Sequence, residues 1–233
     1  MLDTIEAQPL TQAEFRDRLL AASAIIRAED TRLYKLLKSG NCPPRLIRAY
    51  AAATVVSADL FCASLAEMVA NAPDPQSRLT LLENLLEEEG LTLSVDSGLR
   101  SRPETAHPAL ARRFARAVGA EENPARARYA ATAARALLAK DCWVEAVAHL
   151  LLGQELRFAD AAPAMAEALE AAGVPRHDVA FFWVHKTADR EHGEQALQIV
   201  LRTATTRQQQ DRCLAETRAG AMAWMDAHGG LAA

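Results

Sequence analysis

Two imidazoles and a carboxylate recur on one short stretch, Phe181-Phe182-Trp183-Val184-His185-Lys186-Thr187-Ala188-Asp189-Arg190-Glu191-His192, where His185, Asp189 and His192 stand at i, i+4 and i+7. On an α-helix these positions fall within a wedge of about 60° on one face. Two histidines and an acid on one face can converge on a transition metal, and this ligand mix suits non-haem iron. Phe181 and Phe182 precede them by one turn, so the face points inward. Ionisable groups on a buried face are costly unless they bind something or each other. The competing structural explanation is a solvated stripe or a His–Asp hydrogen-bonded pair.

Further acids on apolar faces favour the metal. Glu155 follows Leu151, Leu152 and Ala148 at helical spacing. In Leu82-Glu83-Asn84-Leu85-Leu86-Glu87-Glu88-Glu89-Gly90, the Leu81/Leu82/Leu85 stripe leaves Glu88 or Glu89 as the inward acid and turns Glu87 away. Acids at a helix C-terminus oppose the macrodipole, which hints at another reward for them. His107 begins a helix directly after a long irregular segment and can reach a site. His149, four residues after Glu145, reads as a helix-face pair; His177 and His228 read as helix-end residues. Cys42, Cys62, Cys142 and Cys213 are widely spaced and form no CxxC pair, so they read as incidental or buried thiols. Cys142, at a helix start, is the thiol that most resembles a nucleophile.

The elements that must position these residues are helical. Thr11 to Glu14 fits a capping box, and the helix it opens is expected to run, with a kink, to Ser39. Pro43-Pro44 opens a second helix to about Asn71, and Asp74-Pro75 a third that ends at Gly90. Leu91 to Ala106 has no helical period and reads as irregular, a candidate lid. Further helices are expected from His107 to Gly119, Asn123 to Lys140, Asp141 to Gly173 with a bend near Pro163, Pro175 to Thr203, and Thr206 to His228. No convincing strand and no internal repeat emerges. The expected architecture is all-α, one bundle-like domain over residues 1–233 with seven to eight helices.

Composition agrees with that architecture. Of 233 residues half are hydrophobic and about a fifth alanine, which suits closely packed helices. The net charge of −4, without basic runs, disfavours nucleic acid as a partner. The first fifteen residues carry acids where a secretory signal needs a basic start. Asp59 and Glu67 interrupt the most apolar stretch, Ala49 to Ala72, so no membrane span and a cytoplasmic location are expected.

In order along the chain, these motifs resemble the haem-oxygenase-like diiron oxidases, which share their bundle with the TenA thiaminases and the pyrroloquinoline-quinone synthase. The similar elements are the acidic segment Asn84 to Glu89, His107 with Leu110 and Phe114 to Gly119, the single Glu155, and His185 to His192. Together they span about Tyr34 to His192. The resemblance implies Glu88, His107, Glu155, His185, Asp189 and His192 as metal ligands for two Fe(II) per chain, with O2 as co-substrate; Mn is the other compatible metal. One branch of these enzymes consumes its own tyrosine, and Tyr34 aligns with that residue. This chain has Gln154 where that branch has a tyrosine, and no lysine between Glu155 and Lys186, so that reading is not adopted.

The implied function is a non-haem diiron oxidase or oxygenase acting on a small organic substrate of the amino acid, amine or fatty acid class. A small molecule is then the expected partner, with no nucleic acid and no membrane, and a homodimer is compatible with this reading. Two other classes compete: a metal-independent enzyme of the quinone-synthase or TenA type, and a non-catalytic helical binding module.

Overall fold

Helix capping chemistry sets the first boundaries. A computed structural model describes residues 7–24, 27–94, 98–121 and 143–229. Helix α1, Gln12–Ser23, begins on a complete capping box: Thr11 Oγ1 accepts from the Glu14 amide at 3.2 Å, and Glu14 accepts from the Thr11 amide at 3.0 Å. It does not continue to Ser39, as the sequence suggested. A 3₁₀ turn at Ala28–Asp30 intervenes, and buried Thr31 caps a separate helix α2, Arg32–Lys38, by accepting from the Tyr34 amide. Apolar spacing alone does not reveal that Thr31 is a second start signal.

Helix α3, Pro44–Asn71, has proline at its first position, where no amide donor is needed. By length and composition α3 is apolar enough to cross a bilayer. In this fold Tyr50, Ala51, Val55, Leu65 and Met68 on that helix are buried in the protein interior. Helix α4, Pro75–Glu88, is capped by Asp74, which accepts from the Ser77 amide at 2.9 Å.

The segment after α4 corrects the expectation of irregular chain without strands. Leu91–Ser94 (β1) pairs antiparallel with Gly98–Ser101 (β2), with Leu91 opposite Ser101 and Ser94 opposite Gly98. Leu-Thr-Leu-Ser alternates with period two, but four residues are too few to separate a strand from a loop. At the base of the hairpin the Arg102 amide donates to the Gly90 carbonyl at 2.8 Å. Gly90 has φ +70°, and a Cβ there would lie 2.5 Å from the Arg102 oxygen and 2.8 Å from the Ala106 nitrogen. Glycine therefore lets the two ends of the insertion touch, which returns the chain beside α4. Helix α5, His107–Ala117, starts from that point.

The expected helix from Asn123 to Lys140, and Cys142 with it, lie outside the described residues. Helix α6, Trp143–Val147, runs into a π-helical segment, Ala148–Glu155, and then into α7, Leu156–Ala171. Pro163 lies inside α7. A 3₁₀ turn at Arg176–Val179 leads into α8, Ala180–Thr203, and α9 covers Arg207–Gly229. The wide π turn was not foreseen. It packs against α9 at two glycines: a Cβ on Gly153 would lie 2.7 Å from the Thr217 oxygen, and one on Gly220 would overlap the His149 carbonyl. The changed register also corrects the pairing of His149. Its Nδ1 lies 3.0 Å from Glu216 Oε2, and Glu145 instead pairs with Arg212.

Two apolar clusters fill the interior. One gathers Tyr50, Phe114, Phe158, Phe181, Phe182 and Trp224; the other gathers Phe15, Leu65, Leu81, Leu151, Leu197 and Val200. Along α8 the first cluster ends at Phe182 and the second begins at Ala196; between Leu152 and Phe158 the chain makes the same crossing. His185, Asp189, His192 and Glu155 fall in those intervals, so the polar residues form a belt between two dry regions.

Candidate metal centre

Burial sorts the acids that sequence spacing left open. Glu88 is 2% exposed, whereas Glu89 and Glu87 on either side reach solvent. Successive helical residues point about 100° apart, so only one of the three can face fully inward. His107, Glu155, His185, Asp189 and His192 are all buried as well. The six side chains come from four parts of the chain: the end of α4, the start of α5, the end of the π segment and the middle of α8.

Their donor atoms fall into two groups that share one residue. Glu88, His107 and His185 can each offer an atom such that all lie within 4.8 Å of one another, and so can Glu88, Glu155, Asp189 and His192. A carboxylate common to both groups is where a bridging ligand between two ions would stand. In the first group His107 Nδ1 approaches Glu88 Oε2 at 2.7 Å, and the His107 and His185 ring centroids are 4.3 Å apart. His185 Nδ1 donates to the Phe181 carbonyl, which fixes the tautomer and leaves Nε2 with its lone pair. In the second, His192 Nδ1 is 2.9 Å from Glu155 Oε1, and Asn84 Nδ2 donates to that oxygen at 3.3 Å.

Electrostatics set the protonation states. Burial, and then the neighbouring His107, hold the His185 imidazole well below its ordinary pKa, so it stays neutral. Burial followed by the charges of Glu155, Glu88 and Glu87 pushes Asp189 well above the usual carboxylate range. Glu155 also shifts upward, first through burial. His192 is raised to about 10: burial opposes its charge, but hydrogen bonds to Glu155 and Glu87 outweigh that cost.

The donor set passes a test of fit to metal. Glu88 Oε1, Glu155 Oε2, both Asp189 carboxylate oxygens and His107 Nδ1 are buried without a hydrogen-bond partner among the described residues. The 2.7 Å approach of His107 to Glu88 is thus close but not aligned as a hydrogen bond. Buried polar atoms are nearly always paired, and five orphans in one place lack a protein-only explanation. Cations ligated by these oxygens and nitrogens would satisfy them.

Next to this cluster lies a cavity of about 90 Å³. Phe61, Phe158, Phe181 and Trp224 give it aromatic walls, Tyr50, Thr54, Ser57 and Gln154 add neutral polar groups, and Glu88, Glu155, His185 and Asp189 form one side. Sequence reasoning places Asn84 in the acidic segment but gives it no role, although its amide braces Glu155, and it reads Glu87 as pointing away. Glu87 is half-exposed, yet its Oε2 reaches His192 Nε2 at 3.1 Å. Tyr34 packs against the first apolar cluster, with Lys38 Nζ 6.0 Å above its ring. Cys42, Cys62 and Cys213 form no disulfide among the described residues, and burial, reinforced by the charges of Glu88, Glu89 and Asp59, keeps the Cys62 thiol protonated.

The model of a family of iron-containing redox enzymes matches residues 48–225. The chain belongs to this family. The match takes in α4, α5, the π segment and α8, and so all six clustered side chains. Solved structures similar to this member of the family have the haem-oxygenase-like fold. A TenA homologue from Pseudomonas syringae pv. tomato str. DC3000 superposes with a TM-score of 0.66 at 15% identity, covering 96% of this chain and 92% of its own. A domain of unknown function from Shewanella denitrificans OS217, described as having a haem-oxygenase-like fold, gives 0.61 at 12% identity, covering 94% and 88%. At such identities the likeness establishes the fold. No curated protein matches the chain in sequence.

Proposed function

We propose that this chain is a non-haem diiron oxidoreductase that uses O2 to oxidise a small organic substrate. The observation that carries the reading is the pair of donor groups meeting at Glu88, with five buried donor atoms left without hydrogen-bond partners among the described residues. Glu88, His107 and His185 would hold one iron, and Glu88, Glu155, Asp189 and His192 the other. Three carboxylates and three imidazoles suit two Fe(II), since the acids balance most of the charge. When bound, the two Fe(II) ions supply electrons that reduce O2 and make it an oxidant of the substrate.

The remaining residues prepare that reaction. Phe158, Phe181 and Trp224 give the cavity beside the cluster apolar walls. Thr54, Ser57 and Gln154 offer hydroxyl and amide groups to orient a substrate whose body is mainly apolar. The Phe181 carbonyl holds the His185 ring, and Asn84 holds Glu155, so ligand atoms need little rearrangement.

The test is to load the protein anaerobically with Fe(II) and mix it with O2 across a panel of small amines, amino acids and fatty acids. A transient visible absorption band and substrate-dependent O2 consumption, both abolished by substituting His185 and His192, are expected. Turnover that survives the double substitution refutes the assignment. A second reading, a metal-independent enzyme of the TenA type, draws on one observation: Glu155, His192 and Glu87 already form a hydrogen-bonded chain that needs no metal. It predicts activity after exhaustive chelation, where the diiron reading predicts none.

A further inference from the structure

His192 presents a geometric problem that its helix alone does not solve. An imidazole ligates through one nitrogen, and the other must be satisfied elsewhere to fix the ring. Nδ1 faces Glu155 Oε1 at 2.9 Å, inside the four-residue donor group. Nε2 points the opposite way and meets Glu87 Oε2 at 3.1 Å. Glu87 belongs to neither donor group; its carboxylate is half-exposed, while His192 is 5% exposed.

We infer that Glu87 is a positioning residue, the outer carboxylate that accepts from His192 Nε2–H and so turns Nδ1 toward the metal. The inference rests on the dimetal reading above and adds a residue that the ligand pattern does not include. The adjacent Glu88 ligates from inside the bundle, while Glu87, half-exposed, reaches His192 of the same centre from its solvent edge. Two consecutive acids on α4 therefore serve opposite sides of one metal position. The hydrogen bond runs to His192, which belongs to the second donor group alone; toward the first group Glu87 has the smaller charge interaction with His107.

Titrating the purified full-length protein with Co(II), by calorimetry and visible absorption, tests the role in wild type, Glu87→Ala and Glu87→Gln. Wild type is expected to bind two equivalents. Glu87→Ala should bind one of them about 10- to 100-fold more weakly and change the other far less. Glu87→Gln, whose amide oxygen still accepts from Nε2–H, should recover most of that loss. Unaltered binding in Glu87→Ala, an equal loss at both equivalents, or no recovery in Glu87→Gln would each overturn the inference while leaving the dimetal reading intact. A wild-type protein that binds fewer than two equivalents overturns both. Glu87→Ala also removes a charged partner of buried His192, so its metal-free melting temperature should fall, and that of Glu87→Gln should fall less.

Discussion

Gly90→Ala probes the link between the hairpin insertion and the metal centre. At φ +70° the new side chain faces the left-handed penalty, about 1–2 kcal/mol. Its Cβ would also press on backbone atoms, 2.5 Å from the Arg102 oxygen and 2.8 Å from the Ala106 nitrogen. Backbone cannot rotate aside as a side chain can, and relieving such overlap costs about 1–3 kcal/mol more. At about 2–4 °C per kcal/mol for a chain of this size, the melting temperature should fall by roughly 4–20 °C. Gly98→Ala is the control, because Gly98 has φ +67° and open space where a Cβ would go. It carries only the backbone penalty, so its melting temperature should fall by roughly 2–8 °C. The functional consequence separates the two further. Relaxing the overlap moves Ala106 and with it His107, whose Nδ1 sits 2.7 Å from Glu88. Gly90→Ala should lose one metal equivalent and Gly98→Ala neither, by iron analysis after anaerobic loading. If both variants melt alike and bind the same iron, the insertion does not hold His107 in place.

Three further outcomes follow from the same geometry. Asp189 is 0% exposed with both oxygens unpaired, and its raised pKa means that the stability it contributes at low pH is lost as pH rises above the ordinary carboxylate range. Asp189→Asn should therefore melt higher than wild type when metal-free at pH 7 and gain less on adding Fe(II); a lower metal-free melting temperature contradicts this. His192, raised to about 10, is protonated at pH 7 in the metal-free protein, so metal must displace that proton. Loading in weak buffer should acidify the solution, with affinity increasing as pH rises; no proton release would count against His192 as a ligand. Gly220→Ala places a methyl against the His149 carbonyl and should undo the π turn that ends at Glu155. Loss of metal affinity with most helicity retained by circular dichroism is expected, and full metal binding would show that α9 does not hold the π turn.

The parts of this centre that sequence periodicity reached are those carried by regular helix. His185, Asp189 and His192 lie on one uninterrupted stretch of α8, so the 3.6-residue repeat places them together. At Glu87, Glu88 and Glu89 the helix is ending, and the repeat has no further turn with which to choose between Glu88 and Glu89. The repeat turns Glu87 outward, which holds for its backbone position but not for its carboxylate, because a long side chain can fold back onto His192. The π segment was hidden by its own composition. Leu150, Leu151 and Leu152 are all apolar, so a shift of register leaves no gap in the pattern. The same shift explains why His149 meets Glu216 and not Glu145. The hairpin and the separate α2 were missed for want of length: four-residue strands and a seven-residue helix give too few repeats to register.

The central claim is that two metal ions share Glu88, and anomalous X-ray scattering from crystals loaded anaerobically with Fe(II) tests it most directly. Two iron peaks on either side of the Glu88 carboxylate are expected, one among His107 and His185 and the other among Glu155, Asp189 and His192. A single peak, or none within reach of Glu88, would contradict the account.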